Sequence, residues 1–302
     1  MLFRSHRSTV QKGKGSLARV RIVTDSAARF EDPRFVKDYN VTVVPLNVHF
    51  GREVLKDGVD IDAEGMLRRM ERIDVVPRVT APPVSAFEEV YHDLCRVTDQ
   101  IVVITHSDKF TDTYANAQTA RGSLLGRCEI VVIDSQTSSA GLGYLVEEAA
   151  HVASLDKPID DVIRAVRGAI VRLYSVFYVN TLDYVLRAGL IGETQAALGT
   201  MLEIKPILTI EDGRLITMEK ARTHAQAIDK MIEFVTEFTS IERLCILQNT
   251  PRITDRTRML QDRLALEFSR LQTPVIVYGP LTASQLGPEA MGLAILEGDG
   301  YY

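Results

Sequence analysis

From Val20 onward, short runs of β-branched residues alternate with longer stretches whose apolar positions recur at helical spacing. The runs Val20–Thr24, Val41–Val48, Ile101–Thr105 and Glu129–Ile133 predict strands, and Met66–Arg72, Ala86–Val97 and Tyr114–Leu125 between them predict helices. Alternation of this kind builds a mostly parallel sheet flanked by helices, so the fold class is α/β. A helix from Gly143 to about Leu155 follows, and Lys157-Pro158 opens another that runs to Leu173.

Beyond that point the pattern changes. Tyr174–Val179 predicts a strand, Leu182–Arg187 a short helix, and Lys205–Ile210 with Arg214–Lys220 a hairpin closed by Glu211-Asp212-Gly213. Helix Ala225–Phe238, strand Arg243–Gln248, helix Asp255–Leu271 and strands Pro274–Tyr278 and Met291–Leu296 complete a mixed α+β part. The expected organisation is a disordered basic tail over 1–19, an N-terminal α/β domain over 20–156 and a C-terminal α+β domain over 157–302.

The charge balance of 35 basic against 40 acidic residues, a net −5, argues against a nucleic-acid binder that relies on a basic surface. Arg4, Arg7, Lys12, Lys14 and Arg19 lie in the first nineteen residues, which hold no acid and lack the apolar centre of a secretory signal. They read as a solvated extension, and without them the rest of the chain is more acidic still. Any anion must therefore be held by local donors rather than by the overall field. No apolar stretch reaches the roughly 18 residues of a membrane span, so no stable membrane insertion is expected. Cys95, Cys128 and Cys245 have no C-x-x-C spacing and no histidine beside them, which suits core thiols of a reducing, cytoplasmic compartment.

The usual catalytic signatures are missing. The sequence has no phosphate-cradling G-x-x-x-x-G-K-[ST] and no G-x-S-x-G elbow. Gly141-Leu142-Gly143 lacks the third glycine of a dinucleotide fingerprint. The six histidines show no metal-ligand spacing, so they are expected to be surface or structural residues, with no metal and no cofactor. Hydroxyl-rich loops stand out instead: Thr24-Asp25-Ser26, Thr80 before Ala81-Pro82-Pro83, Ser107 to Thr113, and Asp134-Ser135. At the carboxyl ends of parallel strands, the clusters Thr24-Asp25-Ser26, Thr105-His106-Ser107-Asp108 and Asp134-Ser135-Gln136 should converge on one crevice. The residues suit helix N-caps and turns, and equally suit neutral donors to a carboxylate; periodicity does not choose between these.

Several segments resemble the DegV family in order from Val20 to Gly298. They are Val23-Thr24-Asp25-Ser26; Val43-Val44-Pro45-Leu46-Asn47-Val48-His49-Phe50 followed by Lys56-Asp57-Gly58-Val59-Asp60-Ile61; Val132-Ile133-Asp134-Ser135 with Gly141-Leu142-Gly143; Lys205-Pro206-Ile207; and Ala221-Arg222-Thr223. The resemblance implies two α/β-type domains with an apolar tunnel between them that holds one fatty acid. It also implies a non-catalytic protein that presents the acyl carboxylate to a separate fatty acid kinase. The carboxylate-binding positions it implies are Thr80, Thr111, Thr113 and Gln285, with Arg187 and Arg222 as docking or headgroup cations.

The sequence departs from the family pattern at four places. Ala81 stands for a serine, Asp112 for a glycine, Gln285 for a histidine and Leu190 for an arginine at the tunnel mouth. Asp112 brings negative charge toward an anion site unless it turns to solvent or takes a cap. Two other functions compete: a diverged relative that binds another amphiphile such as an isoprenoid, fatty amide or alcohol, and an enzyme on a small acidic substrate using Asp25, Asp112 and Asp134 as acid, base or magnesium ligands.

Overall fold

The computed structural model describes residues 20–72, 76–189, 191–193 and 201–299. The tail over 1–19 and Leu190 lie outside them. Strands β1 (Val20–Asp25), β2 (Thr42–Val44), β6 (Gln100–Thr105) and β7 (Glu129–Asp134) form a parallel sheet in the order β2-β1-β6-β7. Strands β3 (Asn47–Phe50), β4 (Glu53–Lys56) and β5 (Arg78–Thr80) form a small antiparallel sheet in the order β4-β3-β5. Strands β8 (Leu173–Tyr178), β9 (Lys205–Glu211), β10 (Arg214–Ala221), β11 (Ile241–Gln248), β12 (Val275–Val277) and β13 (Met291–Glu297) form the third sheet, ordered β10-β9-β8-β13-β11-β12. It is antiparallel except for the β11–β12 pair.

Helices α1 (Phe35–Asp38), α2 (Ala63–Arg72), α3 (Val84–Leu94), α4 (Thr113–Ala120), α5 (Ser139–Ser154), α6 (Ile159–Ile170), α7 (Asp183–Arg187), α8 (His224–Thr236), α9 (Asp255–Glu267) and α10 (Pro280–Leu286) complete the described elements. A short 3-10 turn, Arg121–Leu124, extends α4. It accounts for the single helix that the sequence predicts over Tyr114–Leu125.

Helix α5 explains how the sheets come together. Its residues are small or apolar almost throughout, and Ala140 to Val146, Ala149, Ala150 and Ala153 are all buried. A segment apolar on every side must be covered on every side, as Ala140 to Val146 are, while Glu147, Glu148 and His151 give the later turns a wetter face. It touches β1 and β6 of the parallel sheet on one side and β8 and β13 of the third sheet on the other. One apolar core, including Ile104 and Leu142 as well as Phe177 and Ala294, therefore runs through both halves. A second core lies beneath α8 and α9, and a third beneath α3 and α4.

Two expectations need correction. Val41–Val48 is not one strand: Pro45 interrupts it, and β2 and β3 belong to different sheets. Leu46 spans the gap, its N–H donating to Ser26 Oγ at 3.0 Å and its carbonyl accepting from the Asp57 amide at 2.9 Å. Cys95 and Cys128, expected as core thiols, are only half-buried; they are neighbours, and both are free. Burial first, then Cys95, pushes the Cys128 thiol up to about 12.

The hairpin forms as its sequence predicts. Asp212 and Gly213 both take positive φ, +47° and +78°, the conformation of the tight turn that matches strand twist. A side chain at Gly213 would also run into Ser107 Oγ, which donates to the Gly213 carbonyl at 2.7 Å and so pins the hairpin to the loop after β6.

Candidate functional site

The strand-end loops do meet, but they spend most of their polar groups on one another. Asp25 Oδ1 accepts from the Ala27 amide at 2.9 Å, and Oδ2 accepts from the His106 amide at 2.8 Å. Ser135 Oγ donates to the Thr137 carbonyl at 3.2 Å. Asp134 Oδ1 accepts from the amides of Gln136 and Asp108 at 3.0 and 3.2 Å. Burial, reinforced by the neighbouring Asp108 carboxylate, raises the Asp134 carboxyl above its ordinary range. These are turn-closing contacts across adjacent strands.

The three carboxylates of the competing enzyme reading do not assemble. Asp25 is buried against His106, Asp134 is engaged with Asp108 and Gln136, and Asp112 is exposed at the start of α4 with no capping bond from its side chain. Asp112 thus turns to solvent, which relieves the conflict that its charge poses for an anion site. Among the described residues, no group of three or more His, Cys, Asp or Glu is placed to hold a metal ion.

The threonines occupy a different setting. Thr80 ends β5, and its Oγ1 lies 2.9 Å from His49 Nε2 on the adjacent strand. Thr111 Oγ1 lies 2.8 Å from His106 Nε2 and 2.7 Å from Thr113 Oγ1, and it accepts from the Thr113 amide at 3.3 Å. Asn116 on α4 donates to the Pro82 carbonyl at 2.8 Å, so the loop after Thr80 is fastened to the helix that Thr113 begins. Each of the two half-buried threonines therefore rests on a histidine. The sequence reading places His106 in a strand-end cluster and His49 in a family block but gives neither a role, because neither has a spacing motif; strand pairing and a tight loop bring them to the hydroxyls.

The His106 ring is wholly buried, with Asp25 Oδ1 3.0 Å from its Nδ1, at ion-pair distance but not aligned for a straight hydrogen bond. Phe110 stacks on it, with ring centroids 6.5 Å apart and planes 18° apart.

Gln285 lies on α10, a helix absent from the sequence expectations. It lines a cavity of about 290 Å³ with Lys109, Phe110, Arg214, Leu215 and Ile216, and with Ala188 and Gly189 at the end of α7. The cavity lies where the loop before Thr111 meets the hairpin and α10. Arg187 is exposed beside it. Arg222 lines a separate cavity of about 430 Å³ with Asn180, Asp183 and Lys205, so the structure does not bring it to Gln285.

A family model described as uncharacterised protein, DegV family, matches residues 19–298. This chain belongs to the DegV family. A DegV domain-containing protein of Halalkalibacterium halodurans is 29% identical over 283 residues, 92% of this chain and 98% of that relative. Another, of Caldanaerobacter subterraneus, is 33% identical over 219 residues, covering 72% of this chain and 77% of its own. Among solved structures, a DegV family protein from Thermus thermophilus described by its fatty acid binding superposes with a TM-score of 0.79 at 26% identity, covering 93% of this chain and 100% of its own. A fatty-acid-binding DegV family protein from Streptococcus agalactiae superposes at 0.82 with 19% identity over 93% of this chain and 99% of its own, a likeness of fold. Gly141-Leu142-Gly143 acts in this DegV chain as a packing element: side chains at Gly141 and Gly143 would collide with Thr137 and with the Arg29 backbone. No helix among the described residues is long and apolar enough to cross a membrane.

Proposed function

We propose that the chain binds one long-chain fatty acid where its two domains, 20–156 and 157–302, meet, and that Thr80, Thr111, Thr113 and Gln285 hold the carboxylate through uncharged donors. The observation that carries this reading is the relationship at 26% identity to a fatty-acid-binding protein over nearly the whole chain. The local chemistry supports it. Phe110, Leu215 and Ile216 give the cavity beside Gln285 apolar walls, and Gln285, Lys109 and Arg214 give it polar ones. Lys109 and Arg214 are cations that the sequence comparison did not single out.

Burying a chain of about fifteen methylenes at ~0.8 kcal/mol each offers on the order of 12 kcal/mol before ordering costs. A cavity of about 290 Å³ stands at the small end of ligand sites, so the acyl chain enters as side chains at the junction part. On this reading the protein is a non-catalytic cytoplasmic carrier that offers the carboxylate to a separate fatty acid kinase. Arg187 serves at the mouth and Arg222, set apart, serves in docking.

Native mass spectrometry and lipid extraction of the purified protein test the reading. A fatty acid at close to one per chain is expected; a neutral amphiphile at that ratio would replace the fatty acid with the other ligand class, and no lipid would overturn the reading. Thr111→Val should weaken fatty acid binding by about 1 to 3 kcal/mol, the cost of leaving a charged acceptor without its donor. Unchanged affinity would move the carboxylate elsewhere. Gln285→His should tighten binding, since a histidine can add charge where the amide cannot.

A further inference from the structure

Two of the three cysteines meet where the central strands of the parallel sheet begin. Cys95 caps the end of α3, its amide donating to the Tyr91 carbonyl at 2.9 Å. Three residues on, the Thr98 amide donates to the Leu94 carbonyl at 3.0 Å, which curls the chain beneath the helix end. Cys128 arrives from the other side, one residue before β7. Its thiol donates to the Thr98 carbonyl at 3.8 Å, and the Glu129 amide beside it donates to the Asp99 carbonyl at 2.7 Å. The link from α3 to β6 therefore holds both cysteines in place, and both side chains pack on the same apolar core. Cys95 is the other contact of the Cys128 thiol.

Little stands in the way of a bond between them. A thiol is a weak donor, so little is lost when Cys128 gives up its contact with Thr98. Both side chains are half-buried and within reach of a small oxidant, whereas Cys245 is fully buried in a different core, on β11 of the third sheet. Because the Cys128 thiol is pushed up to about 12, it holds its proton, and the first attack falls to Cys95.

We infer that Cys95 and Cys128 are a disulfide-forming pair, closed by a peroxide and reopened by a dithiol. With hydrogen peroxide, the Cys95 sulfur attacks one oxygen and the O–O bond breaks, giving a sulfenic acid and one water. The Cys128 sulfur then attacks the Cys95 sulfur, the S–O bond breaks, and the Cys128 proton leaves with the hydroxyl as a second water. The two thiols lose two electrons, and the peroxide gains them. The disulfide closes a ring over residues 95–128, which holds β6, the loop with Thr111 and Thr113, and α4. Oxidation thus fastens the end of α3 to the start of β7 and encloses the segment proposed to carry the headgroup hydroxyls. Only that last consequence rests on the fatty acid reading.

Full-length protein treated with hydrogen peroxide, blocked with iodoacetamide and digested without reduction tests the pair by peptide mass mapping. The expected product is one linked peptide pair containing Cys95 and Cys128, lighter by two hydrogens than the separate peptides, with Cys245 unlinked and dithiothreitol restoring both thiols. Cys128→Ser should leave Cys95 as a sulfenic acid that dimedone traps, and Cys95→Ser should leave Cys128 slow to react. Closing a loop of about 34 residues should raise the melting temperature of the oxidised wild type by roughly 5 °C. Oxidation of both cysteines to sulfinic acid without linkage overturns the inference, as does resistance of both to peroxide. A lowered melting temperature on linkage overturns it too, since the cysteines would then have to leave their native positions to bond. Failure of both reduced and oxidised protein to bind hexadecanoate would instead overturn the fatty acid reading and leave the disulfide standing.

Discussion

Gly143→Ala should be among the most damaging single-methyl changes in this protein. The glycine lies on the face of α5 that meets the loop after β1, and an added Cβ would overlap the Arg29 carbonyl oxygen. That oxygen is backbone, and the same residue's amide donates to the Ser139 carbonyl at 3.2 Å, so neither side can swing aside as a flexible side chain would. Relief requires α5 or the loop to shift, and α5 is wedged between two sheets. Overpacking a filled core costs typically 1–3 kcal/mol, and the rigid backbone here puts the loss at or beyond about 3 kcal/mol. The melting temperature should fall by roughly 5 to 10 °C. Gly168→Ala supplies the contrast: Gly168 is exposed in α6 with open space around it, and the same methyl there should stabilise by about 0.8 kcal/mol through helix propensity. Calorimetry that ranks the two variants together would remove the packing account.

Asp57→Ala should cost about 3 kcal/mol for a different reason. Arg29 Nη2 contacts both Asp57 oxygens, at 3.3 and 3.1 Å, and the side chains are 19% and 1% exposed. The guanidinium lies over Gly279, just before α10, so tightly that a Cβ there would overlap it. Arg29 thus joins the loop after β1, the turn after β4 and the start of α10. Removing Asp57 leaves a half-wet cation with its carboxylate gone, and breaking such a pair from one side is costly while replacing both partners is not. Urea denaturation of Asp57→Ala, Arg29→Met and the double variant should show the double variant recovering much of the loss. Additive losses would mean that the pair is not coupled. Because the same sheet carries Thr80 and α10 carries Gln285, weaker fatty acid binding should accompany the loss of Asp57.

Long periodic segments were legible in the sequence, and so were the family blocks. The parallel sheet follows from apolar runs such as Ile101–Thr105, buried on both faces, and the hairpin follows from Asp212-Gly213. The small sheet was not legible, since β-branched residues continue across Pro45 and only tertiary contacts of Leu46 show that the chain changes sheet there. Helix α10 was hidden because Gly279-Pro280 reads as a turn, although proline at the first helical position starts a helix as readily. The site was half legible. Hydroxyls have a local signature, whereas His49 and His106 reach Thr80 and Thr111 through strand pairing and a loop, and the burial that couples Asp25 to His106 exists only in the folded chain.

The position of α5 also bears on motion. Amides buried between two sheets exchange with solvent only when the surrounding core opens. Deuterium labelling should therefore find this helix among the last segments to exchange, after the small sheet and α10. The interior spine would keep time with global unfolding, while whatever breathing admits a ligand happens at the rim.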